Sequence, residues 1–412
     1  MNDNTLFMTV GTGIGNSQEA VDSLAHGLLY SIKETDPQYI VFFCSESSKR
    51  TVDSLKSQYF DEFNHELDFY ELVEIINIDD FNECFDCFKK KLIEFKEDYI
   101  KIDYTSGTKT MTMTAAICAT IYRKDLYLIS GKRGKDNLVI KGTESKRTQN
   151  LYQIYDKFTL DKIKDAFNQN RFETAIDLLE ETKAIENKEE YLSLLQLFNN
   201  WDKFNHKKAH EIFENGFDSK FNLFPDFKND LYQNKNVIKL IVAPRDEKVG
   251  CYYKLADLLN NSKRRADEGK YDDGIARLYR ALELIAQIKL KIDYNLKTSN
   301  IDMKTVEKYT QDSSYIKKLE EKRKDDKVKI GLNDAFEMLK SFDNGLGKKF
   351  FERKELIDQR SKRNMSILAH GLEHRTKEEY DEFYDSVNIL ANELTNKIEK
   401  YMEYAKFPKF NT

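Results

Sequence analysis

The chain has 412 residues, too many for one ordinary core at ~150 residues per domain, so two or three domains are expected. With 40% hydrophobic, 33% charged and 12% aromatic residues it cannot be a disordered chain, and only 16 Gly and 4 Pro argue against a turn-dense all-β fold. The 66 basic and 71 acidic residues leave a net charge of −5, which excludes global basicity as a route to nucleic acid; any RNA contact must be a local site.

Residues 5–10 (TLFMTV) form a short apolar, β-prone run that enters Gly11-Thr12-Gly13-Ile14-Gly15. Asn16 with Glu19 three residues on predicts a capped helix start. Val21, Leu24, Ala25, Leu28, Leu29 and Ile32 then mark one helix face against a sheet, up to Pro37. A second strand is predicted over Tyr39–Cys44, followed by Ser45-Glu46-Ser47-Ser48 and a polar helix, and a third over Glu71–Ile78. A helix carrying Phe85, Phe88, Leu92 and Phe95 leads to strand four, Tyr99–Tyr104. The turn Thr105-Ser106-Gly107-Thr108-Lys109-Thr110 opens an apolar helix over Met111–Tyr122. Leu126–Ser130 and Leu138–Lys141 read as two closing strands. Repeated βα units predict a parallel sheet flanked by helices, a Rossmann-like α/β domain over residues 1–148.

After Asn150 the strand signals stop. Helical spacing runs through 151–179 and 253–290, with Pro225 and Pro244 between the blocks. This all-α C-terminal region divides into a connector at 149–250 and a terminal domain at 251–412. The lysine-rich stretch 315–329 reads as a solvated, mobile face.

In open α/β sheets, ligands sit beyond the carboxyl ends of the strands near the topological switch. Two strand ends here are rich in Gly, Ser and Thr: 11–15 and 105–110. Exposed amides at a helix start, hydroxyls and one lysine suit an anionic phosphate ligand. Neither loop is a known nucleotide motif, because Asn16 replaces the third glycine of G-x-G-x-x-G and the second loop departs from the P-loop pattern. Ordinary tight turns with good caps would read the same way.

Cys84 and Cys87 form a lone C-x-x-C among five cysteines, which reads as inert helix thiols in a reducing cytosol rather than a metal site. No apolar run approaches the ~20 residues that span a bilayer, and the start, Met1-Asn2-Asp3-Asn4, lacks a signal-peptide pattern, so a cytoplasmic location with no membrane partner is expected. In the terminal domain, Arg363 and His370 stand seven positions apart, about two helical turns, with Ser366 between them on the same face. A guanidinium stabilises charge on a pentavalent phosphate, and an imidazole moves protons near neutral pH. That pair suits metal-independent phosphodiester cleavage through an RNA 2′-hydroxyl. His370 and His374 sit at i, i+4, but Leu372-Glu373 between them does not complete a zincin motif. By spacing alone the pair also fits a solvated helix face.

Together these parts resemble the CARF–HEPN family of type III CRISPR accessory ribonucleases. The N-terminal half resembles a CARF domain, residues 363–371 resemble the R-x(4–6)-H motif of HEPN ribonucleases, and residues 264–281 resemble the helical half of one branch. The resemblance implies a homodimer whose paired CARF domains bind cyclic oligoadenylate as an allosteric activator, with no other cofactor. It implies HEPN domains that cut single-stranded RNA in antiviral defence, with no stable DNA partner. Carried over by residue, Arg363 and His370 are catalytic and Asn364 supports them. Gly11, Thr12, Gly13, Ile14 and the loop Thr105, Ser106, Gly107, Thr108, Lys109, Thr110 hold the ring. Ser45 and Glu46 lie at the neighbouring strand end, and Lys132 and Arg133 are phosphate contacts. The competing expectation is a nucleotide-sensing Rossmann domain whose helical half only dimerises or binds a partner.

Overall fold

The computed structural model describes residues 4–13, 17–96, 99–134, 139–353, 356 and 373–411. Ile14, Asn16, Arg363, Asn364, Ser366 and His370 lie outside the described residues. The chain divides into two compact units, 1–161 with 181–186, and 162–180 with 187–412.

The first unit is a six-stranded sheet: β1 (Asn4–Thr9), β2 (Tyr39–Cys44), β3 (Tyr70–Glu74), β4 (Tyr99–Asp103), β5 (Asp125–Ser130) and β6 (Ser145–Gln149), in the spatial order 3-2-1-4-5-6. The first five strands run parallel; β6 returns antiparallel on β5. The helices between them are α1 (Gln18–Thr35), α2 (Lys49–Phe63), α3 (Phe81–Glu94) and α4 (Lys109–Ile121). Both sheet faces are covered, which is why the central strands read as near-continuous apolar runs. Leu6, Met8, Ile40 and Phe42 pack with α1 and α2, whereas Phe7, Val41, Phe43, Ile100 and Ile102 pack with α3 and α4.

Three sequence expectations are corrected here. The sixth strand is Ser145–Gln149 rather than Leu138–Lys141, of which Leu138 lies outside the described residues and Val139 makes only an isolated bridge to Arg133. An edge strand with one partner and mostly exposed residues carries no apolar alternation, so SKRTQ gave no strand signal. Strand three stops at Glu74 instead of Ile78, because the Glu83 carboxylate accepts the Ile76 and Asn77 amides that a ladder would otherwise use. The described cap of α1 is Ser17, whose hydroxyl accepts the Ala20 N–H at 3.2 Å.

Helix α5 (Tyr152–Asn168) starts in the first unit and runs into the second. There follow α6 (Phe172–Glu180), α7 (Lys188–Asp202), α8 (His206–Glu214), α9 (Lys228–Val242), α10 (Glu247–Asp267), α11 (Tyr271–Tyr294), α12 (Met303–Tyr309), α13 (Ser313–Glu320), α14 (Leu332–Ser341), α15 (Gly345–Glu352), α16 (Lys377–Leu394) and α17 (Ile398–Tyr404). The two long helical patterns of the sequence are each broken once, at Asn170 (φ +60°) and Gly269 (φ +74°), residue types that tolerate the left-handed region. Trp201 is fully buried, donates to Asp257 Oδ1 at 3.0 Å, and packs with Phe198 and Phe407. Phe167, Phe227 and Phe410 continue this aromatic core, and Asn168 bonds both the N–H and the carbonyl of Phe410. The lysine-rich stretch is more ordered than expected. It forms α13 and a small hairpin, β7 (Arg323–Lys324) with β8 (Lys327–Val328), pinned by buried Tyr315, Leu319 and Val328.

Candidate functional site

Strands β1 and β4 are neighbours whose connections leave in opposite directions, so their carboxyl ends define the topological switch. The two small-residue loops meet there. Ser106 is buried, its hydroxyl receives the Gly11 N–H at 2.7 Å and donates to the Thr9 carbonyl at 3.2 Å, and the Thr9 hydroxyl closes a short bond back to the Ser106 carbonyl. The backbones approach so closely that a Cβ on Gly11 would lie 2.9 Å from the Gly107 nitrogen. Gly107 itself sits at φ +109°, beside the Thr9 side chain. Thr51 of α2 ties the Gly11 carbonyl from the other side at 2.8 Å.

These bonds sort the predicted residues by what they can still offer a ligand. The Gly11 amide is already taken by Ser106. The Thr108 hydroxyl caps α4 through Met111 N–H and donates to the Ile78 carbonyl at 2.9 Å. The Thr105 hydroxyl receives the Ile129 N–H at 2.7 Å and interacts with the Asp103 carboxylate beneath it. Lys109 stands exposed at the first position of α4, where the helix dipole also favours an anion, with Thr110 next to it. Ser45 and Glu46 are engaged in starting α2: Ser45 N–H donates to Ser48 Oγ at 2.8 Å, and Glu46 forms a close ion pair with Lys49.

Gly13, Thr105 and Arg133 line one cleft of about 150 Å³, whose other walls include Ser23 and Gly27 of α1 together with Ile129 and Ser130 of β5. A side chain on Gly27 would meet nothing within 4 Å, so this face of α1 is open. Glu144 closes the far side, its side chain 3% exposed and Oε1 3.0 Å from His26 Nε2. Lys132, Lys109 and Ser45 do not line it. Ser23, His26, Gly27 and Glu144 were not singled out in the sequence. Small residues at i, i+4 on α1 were the available signal for the helix, whereas Glu144 is 118 positions from His26 and gave none.

Beneath this edge Asp103 is fully buried; its Oδ1 accepts the Thr105 N–H at 2.7 Å and its Oδ2 has no hydrogen-bond partner. Burial raises its pKa above the ordinary 3.8, opposed by Ser31, Thr105 and the Lys146 ammonium. Between the ordinary value and the raised one, the unfolded chain has lost this proton while the folded chain retains it. The group's contribution to stability therefore falls as the pH rises through the folded-state value. Asp103→Asn keeps the acceptor for Thr105 and removes the ionisation. Its urea unfolding, followed by circular dichroism, should change less than the parent's as the pH is raised from the ordinary carboxylate range. Parallel pH profiles for the two proteins would refute this account of Asp103.

Among the described residues, no helix is long and apolar enough to cross a membrane, and no group of three or more His, Cys, Asp or Glu is placed to hold a metal ion. Cys84 and Cys87 both lie on α3, and burial raises both thiols, Cys84 to about 11.

A doubly wound sheet with Gly/Thr loops at its switch, continued by an all-helical region, is the architecture of a Rossmann-type ligand-binding domain joined to a helical effector. Residues 243–394 match the family description "Csm6 HEPN domain" and residues 155–239 match "Csm6 6H domain", the two meeting just before Pro244. The chain belongs to the CARF–HEPN Csm6 family, the cyclic-oligoadenylate-activated ribonucleases of type III CRISPR defence. Among solved structures it is similar to Enterococcus italicus Csm6 bound to cyclic hexa-2′-fluoro-hexa-dAMP, with a TM-score of 0.65 at 15% identity over 98% of both chains. A second similar structure is Can2 from Sulfobacillus thermosulfidooxidans in complex with cyclic tetra-adenylate, with a TM-score of 0.25 at 12% identity over 47% of this chain and 58% of that one. No curated protein sequence matches the chain.

Proposed function

We propose that this chain is a homodimeric, metal-independent endoribonuclease that cuts single-stranded RNA when a cyclic oligoadenylate occupies the carboxyl edge of its sheet. Residues 1–148 act as the sensor, 149–250 as the connector and 251–412 as the nuclease. The observation that carries the reading is that the stretch matching the Csm6 HEPN domain includes the Arg363-x6-His370 pair. His370 serves as the proton-transfer group, Arg363 stabilises charge on the pentavalent phosphate, and Asn364 supports them. In the sensor, Lys109 and the first turn of α4 meet phosphate, with Lys132 and Arg133 as further cations, while the loops at Gly11, Thr12, Gly13 and Thr105 shape the ring's seat. A two-fold pair of such edges suits a symmetric ring.

A fluorescent single-stranded RNA should be cut in the presence of a ring of four or six adenylates and spared without it. Lys109→Ala should weaken ring binding by about 1.5–3 kcal/mol, the range for a hydrogen bond to a charged group, with the circular dichroism of the helical region unchanged. Calorimetry that detects no binding of either ring to the intact protein would end the sensor assignment.

A further inference from the structure

A buried carboxylate closes the cleft at the carboxyl edge of the sheet. The side chain of Glu144 is 3% exposed and lines that cleft. Its two oxygens differ. Oε2 accepts the Gly142 N–H at 2.6 Å, whereas Oε1 has no hydrogen-bond partner. His26 Nε2 lies 3.0 Å from Oε1, a close approach without the alignment of a hydrogen bond. The backbone around Glu144 is held in place. The Ile140 N–H donates to the Lys132 carbonyl at 2.9 Å, and the Thr143 hydroxyl receives the Lys132 N–H at 3.0 Å while donating to the Ile140 carbonyl at 2.6 Å. A Cβ on Gly131 would lie 2.5 Å from Val139 Cγ1, so the two arms that flank the cleft touch.

The cleft's volume of about 150 Å³ is half the ~300 Å³ at which pockets for drug-sized ligands begin, so it suits one ring system rather than a whole nucleotide. Leu24, Ile129 and Val139 give it apolar walls for the faces of a base, and Gly27 leaves room on α1. An unpartnered carboxylate oxygen in such a place asks for a donor, because a buried polar atom without a partner is costly. Bases differ at this point. Adenine carries an amine at C6, which donates; hypoxanthine and guanine carry a carbonyl there, which a carboxylate repels. Guanine's two donors on its other edge would need both carboxylate oxygens, and the Gly142 N–H holds one of them. We propose that Glu144 is a specificity-determining residue of the activator site: its Oε1 accepts the exocyclic amine of an adenine seated between α1 and the end of β5. This rests on the reading of the sheet's carboxyl edge as the cyclic-oligoadenylate site.

The test is calorimetry on the full-length chain with two cyclic oligonucleotides of equal size, one of adenylate and one with hypoxanthine in place of every adenine, in rings of four and of six. The parent should bind the adenylate ring about 10–100-fold more tightly, the range for a good contact to a base edge. Glu144→Gln, whose amide offers an oxygen to an amine or an N–H to a carbonyl, should narrow that preference to within about threefold. His26→Ala, which leaves the carboxylate in place, should keep it. A preference that survives Glu144→Gln unchanged, or that is lost in His26→Ala instead, would overturn the proposal, as would a parent that binds both kinds of ring equally. If Glu144→Gln does not fold, Glu144→Asp, which withdraws the carboxylate by one methylene, should weaken the adenylate ring more than the hypoxanthine ring; equal effects on the two would overturn the proposal as well. The underlying reading fails separately: a parent that binds neither adenylate ring removes the activator site itself, whereas one that binds adenylate rings without preference removes only the role of Glu144.

Discussion

His370→Ala should slow activated RNA cleavage by about 10²–10⁴-fold, the usual contribution of a general acid–base group. Arg363→Ala should be similarly damaging, through lost stabilisation of transition-state charge rather than lost proton transfer. Nothing in the motif offers an activated nucleophile, so on the proposed reading the RNA 2′-hydroxyl is the attacking group. Cleavage should then spare DNA, persist in excess EDTA, and leave a 2′,3′-cyclic phosphate on the 5′ fragment. Neither substitution should change the calorimetric affinity for the activator, because both fall in the stretch that matches the HEPN domain. A loss confined to KM would recast His370 as an RNA-orienting group. Cutting that EDTA abolishes, or a double Ala variant that cuts like the parent, would place the chemistry on other residues.

The largest effect on stability is expected at Trp201. It is fully buried, stacked on Phe198, crossed edge-on by Phe407, and bonded through its indole N–H to Asp257. Asp257 is itself fully buried and shared with His206 at 2.7 Å. Trp201→Ala therefore opens a cavity and also removes a donor from a buried carboxylate; the cavity term alone is about 3–5 kcal/mol. Trp201→Phe keeps most of the ring area and should cost only the hydrogen-bond part, about 1–3 kcal/mol. Urea unfolding followed by circular dichroism would rank the two. Equal midpoints for Trp201→Ala and the parent would show that this core does not limit the unit's stability. In the parent, Trp201 is the only tryptophan of the sequence, so its fluorescence reports the second unit selectively.

What was legible in the sequence follows from where each element sits. TLFMTV, YIVFFC and YIKIDY announce themselves as apolar runs of a covered sheet, and the small-residue turns after β1 and β4 stood out by composition, whereas the strand order that brings them together at the switch is a product of the fold. SKRTQ was unreadable because an exposed edge strand needs no apolar face. The end of strand three was misplaced because a single side chain, Glu83, takes over the backbone amides at Ile76 and Asn77. In the candidate site, residue types pointed to the loops but not to their occupancy. That Ser106 already claims the Gly11 amide, and that Glu144 meets His26 across the cleft, are products of tertiary approach that local patterns do not encode. The arginine–histidine pair was legible as a spacing, whereas the bond from the Arg375 N–H to the Asp272 carboxylate joins residues 103 positions apart and left no local pattern.

The aromatic core around Trp201 also has a consequence for how the chain is made. Phe407 and Phe410 complete a cluster begun by Phe167, and the Asn168–Phe410 bonds join residues 242 positions apart. A ribosome delivers the α5–α9 helices long before it delivers these two rings. Until then, the apolar faces of Phe167, Phe198 and Trp201 have no lid, while the whole stretch matching the HEPN domain emerges between them and their partners. Loop closure over such a distance is slow to be rewarded, and exposed apolar surface in the interval invites chaperone capture. The helical half should accordingly reach its native state only late in synthesis, so that the ribonuclease domain and the helices before it mature together.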